Sequence, residues 1–284
     1  MAAAIIQHLE GEPDHFPIGD LQSALSGPEG PATATTWAFS LGDRKIVFTG
    51  TFNVVGGFVQ SGTMTGFELF KGAVKIMTGS GYSLSASQIL AAHDAAVADD
   101  YTIFYGTFFK EVQEIGSGES DHMYGSTVSG KFLGEGGDDF LFGGPGNEVM
   151  KGGLGDDWLE GRGKEDKLFG NEGADTFAFT NADKNNGLGD DNAVHRVKDF
   201  SVAEDTIFLD VGRFAALGPG PLDTTEFGIG RKAGSPDEHV FYRKKTGDLY
   251  YDEDGNGAIK KVLIAELDSG LKLKAHHFEA DFVA

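Results

Sequence analysis

The chain has 284 residues, with 44 acidic against 23 basic side chains, a net charge of −21, 43 glycines and no cysteine. The acidic excess argues against nucleic acid and anionic membrane as partners, because phosphate binding needs clustered Lys and Arg. The missing cysteine excludes disulfides, zinc–thiolate sites and a cysteine nucleophile. An apolar share of 40% is too high for a disordered chain, and no run approaches the roughly 18–20 apolar residues of a membrane span.

In chain order, Met1-Ala-Ala-Ala-Ile-Ile-Gln-His-Leu-Glu10 lacks the basic start and long apolar stretch of a cleaved secretory signal. Residues 10–31 carry four prolines and four glycines and read as loop. Residues 35–39, 45–52, 63–70 and 74–78 are rich in β-branched and aromatic side chains punctuated by glycine, which predicts strands. Ser85 or Ser87 can cap a short helix over 89–97, where Ile89, Ala92 and Ala96 share a face. Residues 101–109 return to strand. Phe48, Phe52, Phe58, Phe67, Phe70, Phe104, Phe108 and Phe109 read as core, whereas several exposed rings among them would make a sugar-binding surface. Gly81-Tyr-Ser83-Leu-Ser85 falls short of a G-x-S-x-G nucleophile elbow.

Residues 116–179 differ in kind. They hold 17 of the 43 glycines and 13 acidic against 5 basic side chains. The stretch repeats every nine residues without a slip. Gly116, Gly125, Gly134, Gly143, Gly152, Gly161 and Gly170 open the units, and Met123, Phe132, Leu141, Met150, Leu159, Leu168 and Phe177 hold the eighth place. The sixth place carries Asp121, Gly130, Asp139, Glu148, Asp157, Asp166 and Asp175. A sharp turn with inward carbonyls favours glycine. A carboxylate at its end adds the hard oxygen that calcium prefers, and the apolar residue packs a short strand into a thin core. The nonapeptide G-G-x-G-x-D-x-U-x, with U apolar, is a calcium-binding signature.

Beyond the repeat, residues 194–200, 205–210, 239–243, 249–252 and 261–267 predict short strands, with a hairpin turn at Thr246-Gly247-Asp248 and loops over 185–192 and 217–221. Asp252-Glu-Asp254-Gly-Asn256-Gly257 has the start of an EF-hand loop, but its twelfth position is Leu263. It is either a calcium site completed from elsewhere through Asp252, Asp254 and Asn256, or a turn. Asp190-Asp191 is a weaker acidic loop. His276-His277 reads as a solvated pair or a metal ligand. There is no H-E-x-x-H, P-loop or dinucleotide fingerprint.

From Gly116 onward the chain resembles the RTX (repeats-in-toxin) family of calcium-binding proteins exported by bacterial type I systems. Gly173-Ala-Asp-Thr-Phe-Ala-Phe179 resembles the segment that closes such rolls. Lys198-Asp-Phe-Ser-Val-Ala-Glu-Asp-Thr-Ile-Phe-Leu-Asp210 is similar to the strand pair that follows in serralysin-type proteases and alginate epimerases. The resemblance implies an all-β chain: a parallel β-roll (an RTX β-solenoid) at 116–179, a β-rich N-terminal domain at 1–115 whose strands can continue the stack in a solenoid-like way, and a C-terminal β cap at 180–284. Asp281-Phe-Val-Ala284 fits a type I secretion signal.

In such a roll two units make one coil, so each repeat stacks on the next but one. Asp121, Asp139, Asp157 and Asp175 then share one edge, and Gly130, Glu148 and Asp166 the other. Three Ca2+ sites are expected on the first edge, between successive aspartates, and a weaker one around Glu148 and Asp166. The place shared by Gly130 and Glu148 is least suited. The loops concerned supply Gly116, Gly118, Gly134, Gly136 and Asp138, then Gly146, Gly152, Gly155, Asp156 and Gly170. The implied function is a secreted, extracellular protein that folds on calcium and acts by binding matrix, polysaccharide or a host surface. The alternatives are a polysaccharide-active enzyme, for which Glu68, Asp94, Asp99 and Asp100 are the carboxylates available in the first span, and a membrane-active RTX protein.

Overall fold

The computed structural model describes residues 4–8, 29–41, 44–55, 58–71, 74–97, 112–125, 130–180 and 194–282. Among these, one α-helix and one 3-10 turn accompany strands arranged in a 15-stranded and a 7-stranded sheet. The readings at 101–109, at 185–192 (with Asp190-Asp191), and of Asp99, Asp100, Phe104, Phe108 and Phe109 fall outside the described residues.

The first half is an antiparallel meander. Glu29–Ala32, Thr36–Leu41, Arg44–Val55, Phe58–Lys71 and Val74–Ser85 pair in sequence order. The loop expected over 10–31 thus ends in strand. The expected solenoid-like continuation is also corrected. Parallel coils need a crossover between strands, and these long strands follow one another too closely in the chain to have one. The strands outrun their expected ends because their glycines lie inside them. Register shifts occur beside Gly50 and Gly66, and a Cβ at Gly79 would meet the Phe67 ring at 2.2 Å. Trp37, Phe39, Phe48, Phe52 and Phe67 form the core with Ile89 and Ala92. Phe58, expected inside, is 62% exposed. The helix, Ala86–Val97, begins at a Ser85 cap: Ser85 Oγ accepts from the Gln88 amide at 3.3 Å, and Gln88 Oε1 accepts from the Ser85 amide at 2.9 Å.

Strand Ala4–His8 joins two architectures. It pairs antiparallel with Val74–Ser85 on one side and parallel with Val112–Ile115 on the other. From there the chain coils. Lys131–Gly136, Val149–Leu154 and Lys167–Glu172 extend the large sheet in parallel. His122–Tyr124, Phe140–Phe142, Trp158–Glu160 and Thr176–Phe179 build the small one. Facing residues are 18 apart, as in Phe140 opposite Trp158 and Val149 opposite Lys167. The eighth-place side chains Met123, Phe132, Leu141, Met150, Leu159, Leu168 and Phe177 point between the sheets and are buried.

The coils do not stop at 180. After residues 181–193 the spacing jumps to 29 and 30, and His195–Val197 and Thr206–Asp210 add one more strand to each sheet. Val262–Glu266 and Phe278–Asp281 follow in parallel. Val240–Arg243 and Asp248–Tyr251 form the expected hairpin, with Gly247 at φ 89°. Within the loop expected at 217–221, Gly220–Pro221 pairs as a short strand. A single apolar core runs from Met123 to Ala280.

Candidate metal centre

Each coil of the roll ends its turn on a carboxylate, and the coil spacing places these one above another. On the first edge the Asp121 amide donates to Asp139 Oδ1 at 2.7 Å, the Asp139 amide to Asp157 Oδ1 at 2.8 Å, and the Asp157 amide to Asp175 Oδ1 at 3.0 Å. One oxygen of each carboxylate therefore holds the ladder together. The other oxygen, Oδ2, is buried without a hydrogen-bond donor in Asp139, Asp157 and Asp175. Buried carboxylate oxygens left unsatisfied are costly, and a hard divalent cation satisfies them.

The opening glycines make the room. A Cβ at Gly134, Gly152 or Gly170 would lie 1.9–2.0 Å from the Oδ2 of Asp139, Asp157 or Asp175. At Gly116 the same atom would meet the Gly134 carbonyl at 2.2 Å. Gly136 is buried under Leu154 and beside the exposed Gly118. Gly155, at φ 116°, lies against the Gly137 carbonyl. Asp138 and Asp156 form an outer ladder: Asp138 Oδ1 accepts from the Asp156 amide at 2.9 Å, and Asp156 Oδ1 from Ala174 at 2.8 Å. These two bind main chain across coils and are exposed.

The ladder is longer than the repeat. Asp205 Oδ1 accepts from the Asp175 amide at 3.1 Å, and Asp199 receives the amides of Gly170 and Asn171 at 3.0 and 3.1 Å. Neither is marked as a site residue by the nine-residue period, which breaks before them. The signal was there in Lys198-Asp-Phe-Ser-Val-Ala-Glu-Asp205. The two ends of the ladder differ from its middle. Asp121 and Asp205 take the amides of Ser117 and Ser201 from their own turns, at 2.6 and 2.7 Å. In the middle rungs the residues at that place are Glu135, Gly153 and Asn171, with φ of 77°, 137° and 74°. The middle carboxylates are the ones left open.

The second edge is poorer. The Glu148 amide donates to Asp166 Oδ1 at 2.6 Å. The next carboxylate's place is filled by His195, whose Nδ1 lies 3.4 Å from the Asp166 amide and 3.0 Å from Asp166 Oδ2. His195 was not anticipated from the sequence. Gly130 contributes a carbonyl, which accepts from Val149, and Gly146 likewise accepts from Lys164.

Burial raises the carboxyls of Asp139, Asp157, Asp175 and Asp205, and like charges beside them add to it. Asp139 is pushed up to about 8, Asp157 to about 7, and Asp175 and Asp205 to about 6. Burial and the facing Asp166 raise Glu148 to about 9. Asp166 itself is raised by burial against the pull of His195. Among the described residues no three His, Asp or Glu side chains converge on one point. A cation here would be held by two carboxylates and main-chain carbonyls, a donor set that suits calcium.

Outside the roll, Asp254 folds its loop on itself, accepting from Ala258 at 2.7 Å and Ile259 at 3.0 Å. Asp252 is buried beside it with Oδ1 lacking a donor, while Asn256 is exposed, its amide on the Ser235 carbonyl. The structure brings the first two together and shows a turn built by Asp254. His277 is not solvated: it is buried, with Nε2 3.1 Å from the Val202 carbonyl. Glu68 is bound to Lys75 at 2.8 Å, and Asp94 lies in the helix.

Residues 115–150, 124–159 and 151–179 match the model of the RTX calcium-binding nonapeptide repeat, in four copies. No curated protein matches the chain. Among solved structures, the AlgE6R3 subunit from the Azotobacter vinelandii mannuronan C5-epimerase is similar at 25% identity. The match covers 57% of this chain and 78% of that one, with a TM-score of 0.23.

Proposed function

We propose that this chain, an RTX-type protein with calcium-binding nonapeptide repeats, folds its roll on calcium outside the cell and acts there by binding. In this reading a type I machinery exports the chain unfolded, and calcium supplied outside completes it. The observation that carries the proposal is the row of buried, donorless oxygens on Asp139, Asp157 and Asp175, each against a glycine with no room for a side chain. Without a cation these carboxylates oppose folding. With one between each neighbouring pair they become ligands. Binding to the folded state alone stabilises by about 1.4 kcal/mol per site at ten times Kd. Three or four sites would supply roughly 4–6 kcal/mol, comparable to a domain's net stability.

Peptide-resolved hydrogen exchange tests this. In millimolar calcium the amides of 131–136, 149–154 and 167–172 should be protected, and in excess chelator they should exchange fast. Equal protection in both conditions would overturn the proposal.

A further inference from the structure

The second edge ends on a side chain of different chemistry. His195 stands in the sixth place of a coil, as the main chain shows. The Arg196 amide donates to the Asp166 carbonyl at 2.8 Å, as Lys167 does to Glu148 at 2.9 Å and Thr176 to Asp157 at 2.7 Å. On the first edge, the room beside an opening glycine is lined from the next coil by a carbonyl. A Cβ at Gly134 would run into the Gly152 carbonyl, and one at Gly152 into that of Gly170. Gly143, on the second edge, still faces the Gly161 carbonyl. At Gly161 the imidazole takes over that room: a Cβ there would lie 2.8 Å from His195 Nδ1 and 2.9 Å from Cε1. The Phe179 ring packs beside the imidazole, with centroids 6.0 Å apart.

His195 Nδ1 and Asp166 Oδ2 are 3.0 Å apart, and both side chains are fully buried. Two lone pairs do not face each other at that distance in a buried site, so a hydrogen or a metal ion lies between them. The distance is that of an N–H···O hydrogen bond. Calcium selects oxygen donors over imidazole nitrogen, and the ring fills the room that an ion uses on the other edge. We infer that His195 keeps calcium out of the last rung of the second edge, its Nδ1–H holding Asp166 where the first edge uses an ion. The inference rests on the calcium reading proposed above and gives one of its rungs a different occupant. The neutral Nδ1–H tautomer and the imidazolium both supply the hydrogen. The 3.4 Å approach of the Asp166 amide to Nδ1 is then packing, whereas the first-edge amides all meet an acceptor within 3.1 Å. The second edge thus ends on a bond that does not depend on ion supply. It lies where the chain re-enters the roll after residues 181–193, beside the ties of Arg196 to Glu165 at 3.2 Å and Glu266 at 2.8 Å.

The test counts bound ions by equilibrium dialysis of the full chain against saturating radiolabelled calcium. H195D gives the rung two carboxylates, as on the first edge, and should hold one ion more per chain than the unaltered protein. H195N, whose side-chain amide places an N–H near the position of Nδ1, should leave the count unchanged. Hydrogen exchange in calcium over 167–172 should be the same in H195N and the unaltered protein. A count in H195D no higher than in H195N would overturn the inference. So would a lower count in H195N than in the unaltered protein, because His195 would then be a ligand. Zinc retained by the unaltered protein through dialysis against calcium, and lost from H195N, would overturn it too, by placing a metal where the hydrogen is inferred. A chain that binds no calcium in any of the three forms would overturn the reading beneath it.

Discussion

At the scale of single residues, the middle of the aspartate ladder separates two jobs within one carboxylate. Oδ1 of Asp157 carries the Asp139 amide, and Oδ2 faces Gly152 with no donor. Asp157→Asn keeps an oxygen for the first job and removes the charge needed for the second. Its calcium midpoint should rise at least tenfold, about 1.4 kcal/mol. Asp121→Asn, where Ser117 already supplies a donor, should shift the midpoint less than threefold. Isothermal titration reads both, and equal shifts would mean that the ladder ends bind as its middle does. Glu114 is a residue of another kind. It stands in register with Phe132, at a place where later coils put an apolar side chain, and is 3% exposed. Burial raises its carboxyl to about 8, and one of its oxygens has no donor. A carboxyl raised in the folded state favours folding while protonated, so its contribution is lost as pH rises through about 8. Glu114→Leu should raise the urea midpoint in calcium, and by more at pH 8 than at pH 5.5.

At the scale of elements, the short strands hold because each gives one side chain to a thin core. Leu159 is fully buried between the sheets, so Leu159→Ala should cost about 2–5 kcal/mol in calcium, read by urea denaturation. A smaller loss would mean that the roll closes around the cavity. The period of nine made these strands, their inward residues and the carboxylate edge legible, because every unit repeats the same contacts. The continuation to Asp199 and Asp205 was less legible. Residues 181–193 interrupt the period, and only stacking shows that Asp205 meets Asp175. His195 was hidden for the same reason, and because an imidazole stands where the pattern asks for a carboxylate. In the meander, glycines inside long strands mimicked strand ends. Their real reason, room for Phe67 over Gly79, is a contact between neighbouring strands that periodicity does not report.

At the scale of the molecule, two cores share one 15-stranded sheet, and only one of them adjoins the carboxylate ladder. Calcium should therefore shift the denaturation of the Met123–Ala280 core far more than that of the Trp37–Ala92 core, which hydrogen exchange can separate. Protons act on the same ladder in the opposite sense. Asp139, Asp157, Asp175 and Asp205 are raised to between about 6 and about 8. Without calcium, the stability they lend when protonated is full below about pH 4 and lost as pH rises through that window. With calcium the carboxylates must ionise to bind, so affinity grows over the same interval. Urea midpoints at pH 5.5 and pH 8 should fall in chelator and hold or rise in millimolar calcium; parallel trends would refute the linkage. The spacing of 18 between stacked residues has one more consequence, for how such a chain can change length. Excising 18 residues from within the roll removes a whole storey and leaves every remaining aspartate above another. Excising nine exchanges the two sides of the staircase, bringing Glu148-type steps under Asp-type ones. Growth and shrinkage of this molecule are therefore quantised in pairs of repeats.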